Sequence, residues 1–509
     1  MKYFIASKSI IKLLVLLMVF SWNQVSAQGF NHNWLLGYQT GLDSFTTSNR
    51  SIAQIDSVNI NIFSQSRKMR FSSSQANISD SAGNLLFYTN GCWIANATGD
   101  TMMNGDSLNP GNFSDGYCPY GYPIANMELA LPVPGMMNKY ILFHQTGDQS
   151  VWSRKLYYSL IDMSLDSGRG AVTAKNQIAF SDSLIWGISA CKHANGRDWW
   201  VAVLKDSSDI IYTLLLTPNG ITNIQQQHLN VPMHHSQYVQ PSLFSPDGSK
   251  FAYTICTPTG NMSYPALRDL RIFDFDRCSG QFSNPYVINL NDTNPGLGLA
   301  FSSNSRFLYT GKYWRISQFD LQAPNIQASR QYVADFDFNT TGGITDFAFM
   351  YLAANGKIYI SSSSSTIYFN VIDQPDSAGM SCNVLQHAIQ TPCYIYASHV
   401  NHPNYYLGRL VGSPCDTLTG IHDLAAHDFR FSISPNPNNG NFRIMYLLPQ
   451  NKSGTLQIFN ITGKEIYHQN LPPWSTAKYI SLPKIADGVY QCTITSNNQR
   501  VNKKLVVVE

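Results

Sequence analysis

Charge is what this 509-residue sequence has little of. Only 13% of its residues are Asp, Glu, Lys or Arg, and 34 cations against 31 anions leave a formal net charge of +3. So weak and scattered a balance gives no electrostatic footprint for nucleic acid or an acidic membrane surface. There is no G-x-S-x-G elbow, no phosphate-binding loop and no dinucleotide fingerprint, so the local signatures of serine hydrolases, P-loop NTPases and Rossmann enzymes are missing. None of the nine cysteines stands in C-x-x-C spacing, which removes the usual zinc and dithiol patterns and leaves no metal or other cofactor to assign. Beyond residue 27 no apolar run is long enough to span a bilayer.

The single apolar run is N-terminal. Lys2, Lys8 and Lys12 flank Leu13 to Phe20, and Val25-Ser26-Ala27 closes the segment. A basic start, a short apolar core and a small-x-small ending predict a secretory signal peptide over 1–27, and a mature chain with no transmembrane segment. The abundance of Tyr (28), Gly (34), Ser and Asn suits an exported protein rich in strands and turns.

One unit organises the rest. In Phe244-Ser245-Pro246-Asp247-Gly248-Ser249-Lys250-Phe251-Ala252-Tyr253, Pro246 fixes φ at a tight turn, Gly248 accepts positive φ, and the run that follows has strand composition. Related units centre on Gly83, Gly135, Gly196, Asn304 and Gly356. Their period of roughly 50 to 60 residues is that of propeller blades, each of which needs neighbours to bury its faces. Residues 30–66 alternate weakly and are expected to complete the last blade by pairing with the C-terminal end of the ring. The expected fold is all-β: a six- or seven-bladed β-propeller over 28–411.

Exported cysteines can pair, and proximity favours Cys92 with Cys118, Cys256 with Cys278 and Cys382 with Cys393, although spacing does not determine connectivity. An odd count leaves a free thiol, for which Cys492 in a strand-like run is the candidate. An insertion over 89–122 containing Cys118 either displays binding residues or packs the rim under a disulfide. His193, Asn195, Arg197 and Asp198 form the densest polar cluster, beside Trp199 and Trp200. Such a set could grip a sugar between aromatic faces and polar donors, or simply cap a hairpin. His234 and His235 could line the central channel. His399 and His402 have H-x-x-H spacing but lack the Glu and the helix of a metalloprotease site.

The character changes after Ala397, and a polar stretch over 412–428 reads as a linker. Residues 429–509 show short alternating strands between turns at Asn439-Gly440, Thr462-Gly463 and Asp487-Gly488, which suggests a small immunoglobulin-like β-sandwich. Its blocks resemble, in order, the C-terminal sorting domain (type A) of the type IX secretion system of Bacteroidetes. They are Pro435, Asn436, Pro437 and Gly440; Gly463 in Asn460-Ile461-Thr462-Gly463-Lys464; Asp487, Gly488 and Tyr490; and Lys503 and Lys504. The resemblance implies export through that machinery to the medium or the outer cell surface. The preceding region loosely resembles TolB-like and WD-repeat propellers, which implies fold and not activity. The resulting expectation is a secreted or surface propeller that binds a macromolecule or glycan. An extracellular glycosidase-like hydrolase with a site in the propeller mouth and a structural adhesion or surface-layer component are the alternatives.

Overall fold

The computed structural model describes residues 29–38, 50–56, 59–118, 120–147, 153–231, 242–257, 267–290, 298–397, 400–416, 431–446, 448, 453–472, 477–482, 485–496 and 499–508. The chain is all-β. Among the described residues, seven small antiparallel meander sheets succeed one another over 33–64, 76–96, 128–184, 189–228, 243–289, 298–335 and 349–395. The first two have three strands and the others four.

Each repeat turn joins the first two strands of its sheet. In the fifth sheet Ser245 Oγ and the Ser249 amide bond to Asp247, and Gly248 takes φ +72, the conformation that favours glycine. These turns collect at one end, because the Asp247 amide donates to Ser305 Oγ of the next repeat turn at 3.1 Å. We refer to this as the turn end. Apolar layers fill the space between sheets. Leu129, Leu131 and Phe143 of the third meet Trp199 and Val201 of the fourth, and Leu270 and Ile272 of the fifth meet Leu299 and Phe301 of the sixth.

Closure differs from expectation. Asn33 Nδ2 donates to Ser79 Oγ and the Gly83 carbonyl, so Asn33–Leu36 starts at the turn end and runs opposite to Ala76–Ser79. No ladder among the described residues joins the first sheet to the C-terminal segment. Side chains make the seam instead, with Trp34, Leu36 and Ile55 packed on Tyr359, Phe369, Ile395 and Val400.

Residue 397 and residues 400–410 lie along the axis between the first strands. Ala397 packs with Ala348 and Phe349 at the far end. Asn401 Nδ2 donates to the carbonyls of Glu128 and Ile188 at 2.9 and 2.8 Å, His402 Nε2 to that of Asn77 at 2.9 Å, and Tyr405 Oη to that of Ala130 at 2.9 Å. Asn404 then reaches the Pro246 carbonyl, and the Leu410 amide that of Ala194, both in repeat turns. The axis is therefore filled by the protein's own chain.

Two disulfides are present among the described residues, Cys92–Cys118 as expected and Cys278–Cys415. The second overturns the Cys256–Cys278 pairing, because the axial segment delivers Cys415 to the hairpin carrying Cys278; the Cys256 side chain lies outside the described residues. Cys382 and Cys393 are not bonded to each other. They occupy opposite faces of the seventh sheet, Cys382 in the layer shared with the sixth and Cys393 in the layer shared with the first. Burial pushes the thiols of Cys191 and Cys492 up to about 12. Alkylation should spare Cys191, Cys382, Cys393 and Cys492 in the native protein and label all four once it is unfolded. Cys278 and Cys415 should label only after reduction; labelling of either without reductant would refute the bond.

The 89–122 insertion packs against the third sheet. Its short helix Asn112–Tyr117 places Phe113 beside Tyr122 and Trp186, and Asn109 accepts from His144 Nδ1 at 2.6 Å. Burial lowers His144 to about 3 and raises Glu128, bonded by Ser74 and beside Tyr122, to about 8. Folded Glu128 keeps a proton that the unfolded chain loses near pH 4.5, so its contribution to stability falls as pH rises from about 4.5 to 8. Folded His144 stays neutral where the unfolded chain is protonated, so its contribution falls as pH drops from 6.5 to about 3. Denaturant titrations across pH should show stability declining above 6.5 and below 4.5. Glu128→Gln should flatten the alkaline arm and His144→Gln the acid arm; an unchanged alkaline slope in the first would contradict the assignment.

The C-terminal residues form two sheets around one core. Ser432–Ser434, Asn441–Met445 and Ala477–Ser481 make the smaller. Glu465–Leu471, Gly454–Phe459, Gly488–Ser496 and Gln499–Val507 make the larger, in that spatial order. Phe442, Ile444, Leu456, Ile458, Cys492 and Leu505 fill the layer between.

Candidate functional site

In the sixth sheet the strand Phe307–Lys312 leaves the repeat turn and runs to the far end, where Tyr313-Trp314 reverse the chain into Arg315–Asp320. The outer strand Gln331–Asp335 ends at the same place and continues into Phe336-Asp337-Phe338. The Phe336 amide donates to the Trp314 carbonyl at 2.9 Å, which sets the two connections side by side. Trp314 stacks on Phe338 (centroids 5.7 Å, 20°) and packs on Phe336 at 5.0 Å, and Phe336 anchors the group to buried Phe347. Phe338 is 73% exposed with φ +58. That conformation is rare for a bulky residue and concentrates at functional positions. The neighbouring turns hold it, with the Asp337 amide donating to Gln386 Oε1 at 3.0 Å and the Asn339 amide to Asp337 Oδ1 at 2.9 Å.

Exposed Tyr332 forms the other wall, with Arg315 and Arg330 over its ring at 4.5 and 5.0 Å. Arg315 pairs with Asp335, whose hydrogen bond raises the guanidinium above its ordinary range. Arg330 is aimed by Ser317 Oγ at 3.1 Å and the Leu290 carbonyl at 2.8 Å. The groove between these walls has a volume of about 380 Å³ and includes Lys312. Ring faces can take the C–H face of a sugar, and guanidinium and carboxylate can bond its hydroxyls. Sequence reading passed over this site. A tryptophan at a hairpin reversal between Lys312 and Arg315, followed by Phe336 and Phe338, was its available signal.

The structure brings His193, Asn195, Arg197 and Asp198 together in the repeat turn of the fourth sheet. Asp198 accepts from Asn195 Nδ2 at 2.7 Å and from Arg197 Nε and Nη2 at 2.7 and 3.0 Å. His193 takes the Asn195 amide on Nδ1 and donates from Nε2 to the Cys278 carbonyl at 3.1 Å; burial first of all lowers its pKa. Arg277 bonds the carbonyls of Lys192, His193 and Gly408. The cluster thus joins the fourth and fifth sheets to the axial segment. His234, His235 and His399 lie outside the described residues.

At the C-terminus the separated blocks meet. Asn436 donates to the Lys504 carbonyl at 2.7 Å and accepts from the Val506 amide at 2.7 Å, tying the Pro435-Asn436-Pro437 segment to the last strand. Gly440, at φ +87, faces the Leu482 carbonyl where a Cβ would clash. Gly463 turns the chain at φ +79, with Asn460 Oδ1 taking the Thr462 and Lys464 amides. Tyr490 Oη donates to the Ala486 carbonyl at 2.7 Å, beside Asp487 and Gly488. Lys503 and Lys504 are exposed on the last strand.

Residues 432–508 match the secretion system C-terminal sorting domain. A sorting domain of the type IX system directs its chain to the cell surface or beyond and makes that machinery a partner. No helix among the described residues is long and apolar enough to cross a membrane. No curated protein matches the chain. Among solved structures, an extracellular domain of a hybrid two-component system from B. thetaiotaomicron aligns at 10% identity with TM-score 0.37, over 96% of this chain and 58% of that one. This chain thus spans little more than half of that structure. The Dos1 propeller aligns at 9% and TM-score 0.34, over 70% of this chain and 74% of that one. A family 43 arabinoxylan arabinofuranohydrolase from Bacillus subtilis aligns at 10% and TM-score 0.30, over 75% and 94% respectively. None of these likenesses bears on ligand or activity.

Proposed function

We propose that this is a Bacteroidetes-type exported seven-bladed β-propeller that binds an anionic polysaccharide through the Trp314 groove. A signal peptide over 1–27, a propeller over 28–411, a linker over 412–428 and an immunoglobulin-like sorting sandwich over 429–509 divide the chain. The observation that carries the binding reading is the exposed wall of Trp314, Phe338 and Tyr332, with Phe338 held at φ +58. Lys312, Arg315 and Arg330 against Asp335 favour a ligand bearing carboxylate or sulfate groups. The groove contains one carboxylate, where a glycosidase uses two, and the filled axis supports placing the site off-centre.

The test is polysaccharide and glycan-array binding by the intact chain, with product release followed in parallel. Saturable binding is expected, stronger for acidic than neutral polymers. Trp314→Ala should weaken it about tenfold or more, as loss of a central aromatic anchor does. Full affinity in that variant would sink the groove assignment. Turnover would favour the hydrolase alternative, and self-association without glycan binding the surface-layer alternative.

A further inference from the structure

Arg443 occupies the middle of Asn441–Met445, the central strand of the smaller C-terminal sheet, with Ser434 and Tyr479 as its register partners. Its neighbours Phe442 and Ile444 point into the sandwich core, so alternation turns Arg443 outward. An arginine on the outer face of a free-standing domain is expected to be solvated. Arg443 is 4% exposed.

What covers it is the propeller. Its Nη1 donates to the Asn355 carbonyl in the repeat turn of the seventh sheet. Gly356 follows at φ +72, and a Cβ there would collide with Arg443 Nη2 and Cζ, so this glycine serves both the turn and the close approach of the guanidinium. Asp376, half-buried and held by Ser303 Oγ at 2.6 Å and the Asn304 amide at 2.9 Å, provides opposite charge from the same end. Tyr479 lies 5.7 Å from the guanidinium on the sorting-domain side. The chain enters from the same end as well, since Cys278–Cys415 and the Arg409–Asp416 pair hold it there before residues 417–430.

We infer that the turn end of the propeller is a docking site for the sorting domain, with the Asn355-Gly356 turn as receptor and Arg443 as the inserted side chain. The sorting domain is then carried in a set orientation on a cargo whose seventh sheet has already folded. This inference is independent of the glycan reading.

Solution scattering and limited proteolysis of the intact chain at 417–430 test it. The wild type should scatter as one compact particle. Arg443→Glu on one partner and Gly356→Val on the other should each enlarge the radius of gyration and speed cutting in that span by about tenfold or more, the loss expected when one member of a buried polar contact is removed. Thermal unfolding and circular dichroism verify that each variant is folded. If both folded variants keep wild-type scattering and cutting rates, the docking site is refuted. Should a variant fail to fold, the wild-type profile decides alone, because scattering from two independently tumbling bodies overturns the inference.

Discussion

A chain ended at Asp428 should fold, form both disulfides, and stay inside the cell envelope. The seven sheets, the axial segment and all four bonded cysteines precede that point, so the truncation removes no propeller core. It removes the whole of the matched sorting region. Secretion should fall to background, measured as protein in the medium and on the cell surface against the periplasmic fraction. The periplasmic material should keep the wild-type protease resistance of the propeller. Efficient secretion of the truncated chain would overturn the export route; its unfolding would instead show that the propeller needs the sorting domain for stability. Alanine at Asn436 should give a graded version of the defect, because it severs both hydrogen bonds between the Pro435-Asn436-Pro437 segment and the last strand.

Tyr405→Ala should cost about 3–5 kcal/mol of stability, the range for removing a fully packed large aromatic. Tyr405 is buried between Phe30 and Trp199, at centroid distances of 5.5 and 5.8 Å. Its hydroxyl serves the Ala130 carbonyl, which the substitution leaves without that donor, at a cost of the same order as a lost buried hydrogen bond. Denaturant unfolding measures the loss, with Met137→Ala, 87% exposed in a repeat turn, as a control expected within about 0.5 kcal/mol of wild type. A loss below about 1 kcal/mol would mean that the axial segment lies in the channel without supporting it.

Legibility followed the range of the interactions involved. The repeat was readable because Pro246, Asp247 and Gly248 satisfy needs met within a few residues. The Asp198 cluster was readable as a group, since its members bond across three positions or fewer, but the tie from His193 to Cys278 spans two sheets and left no local trace. Proximity failed for Cys278, whose partner is 137 residues away. Asn401 and Tyr405 left no local signal, because their partners lie 213 to 275 residues earlier. The Trp314 groove draws its walls from two connections and an outer strand, and only folding sets them beside one another. In the sorting domain the Gly463 and Tyr490 blocks do local work at turns, whereas Asn436 bonds the last strand across 68 and 70 positions, and the order of the blocks carried the resemblance.

The disulfide at the turn end also determines how the protein bears load. Tension applied to the sorting domain during passage through a membrane would reach the propeller first at Cys415. From there the covalent bond passes it to Cys278, in the hairpin between Leu267–Asp276 and Gln281–Asn289. The axial residues 401–414 lie behind that junction, and the noncovalent ties that lead into them are the Arg409–Asp416 pair and the bond from the Gly412 amide to Asp416. Asn401 and Tyr405, held to the first strands by hydrogen bonds, thus sit behind a covalent junction that leads into the fifth sheet.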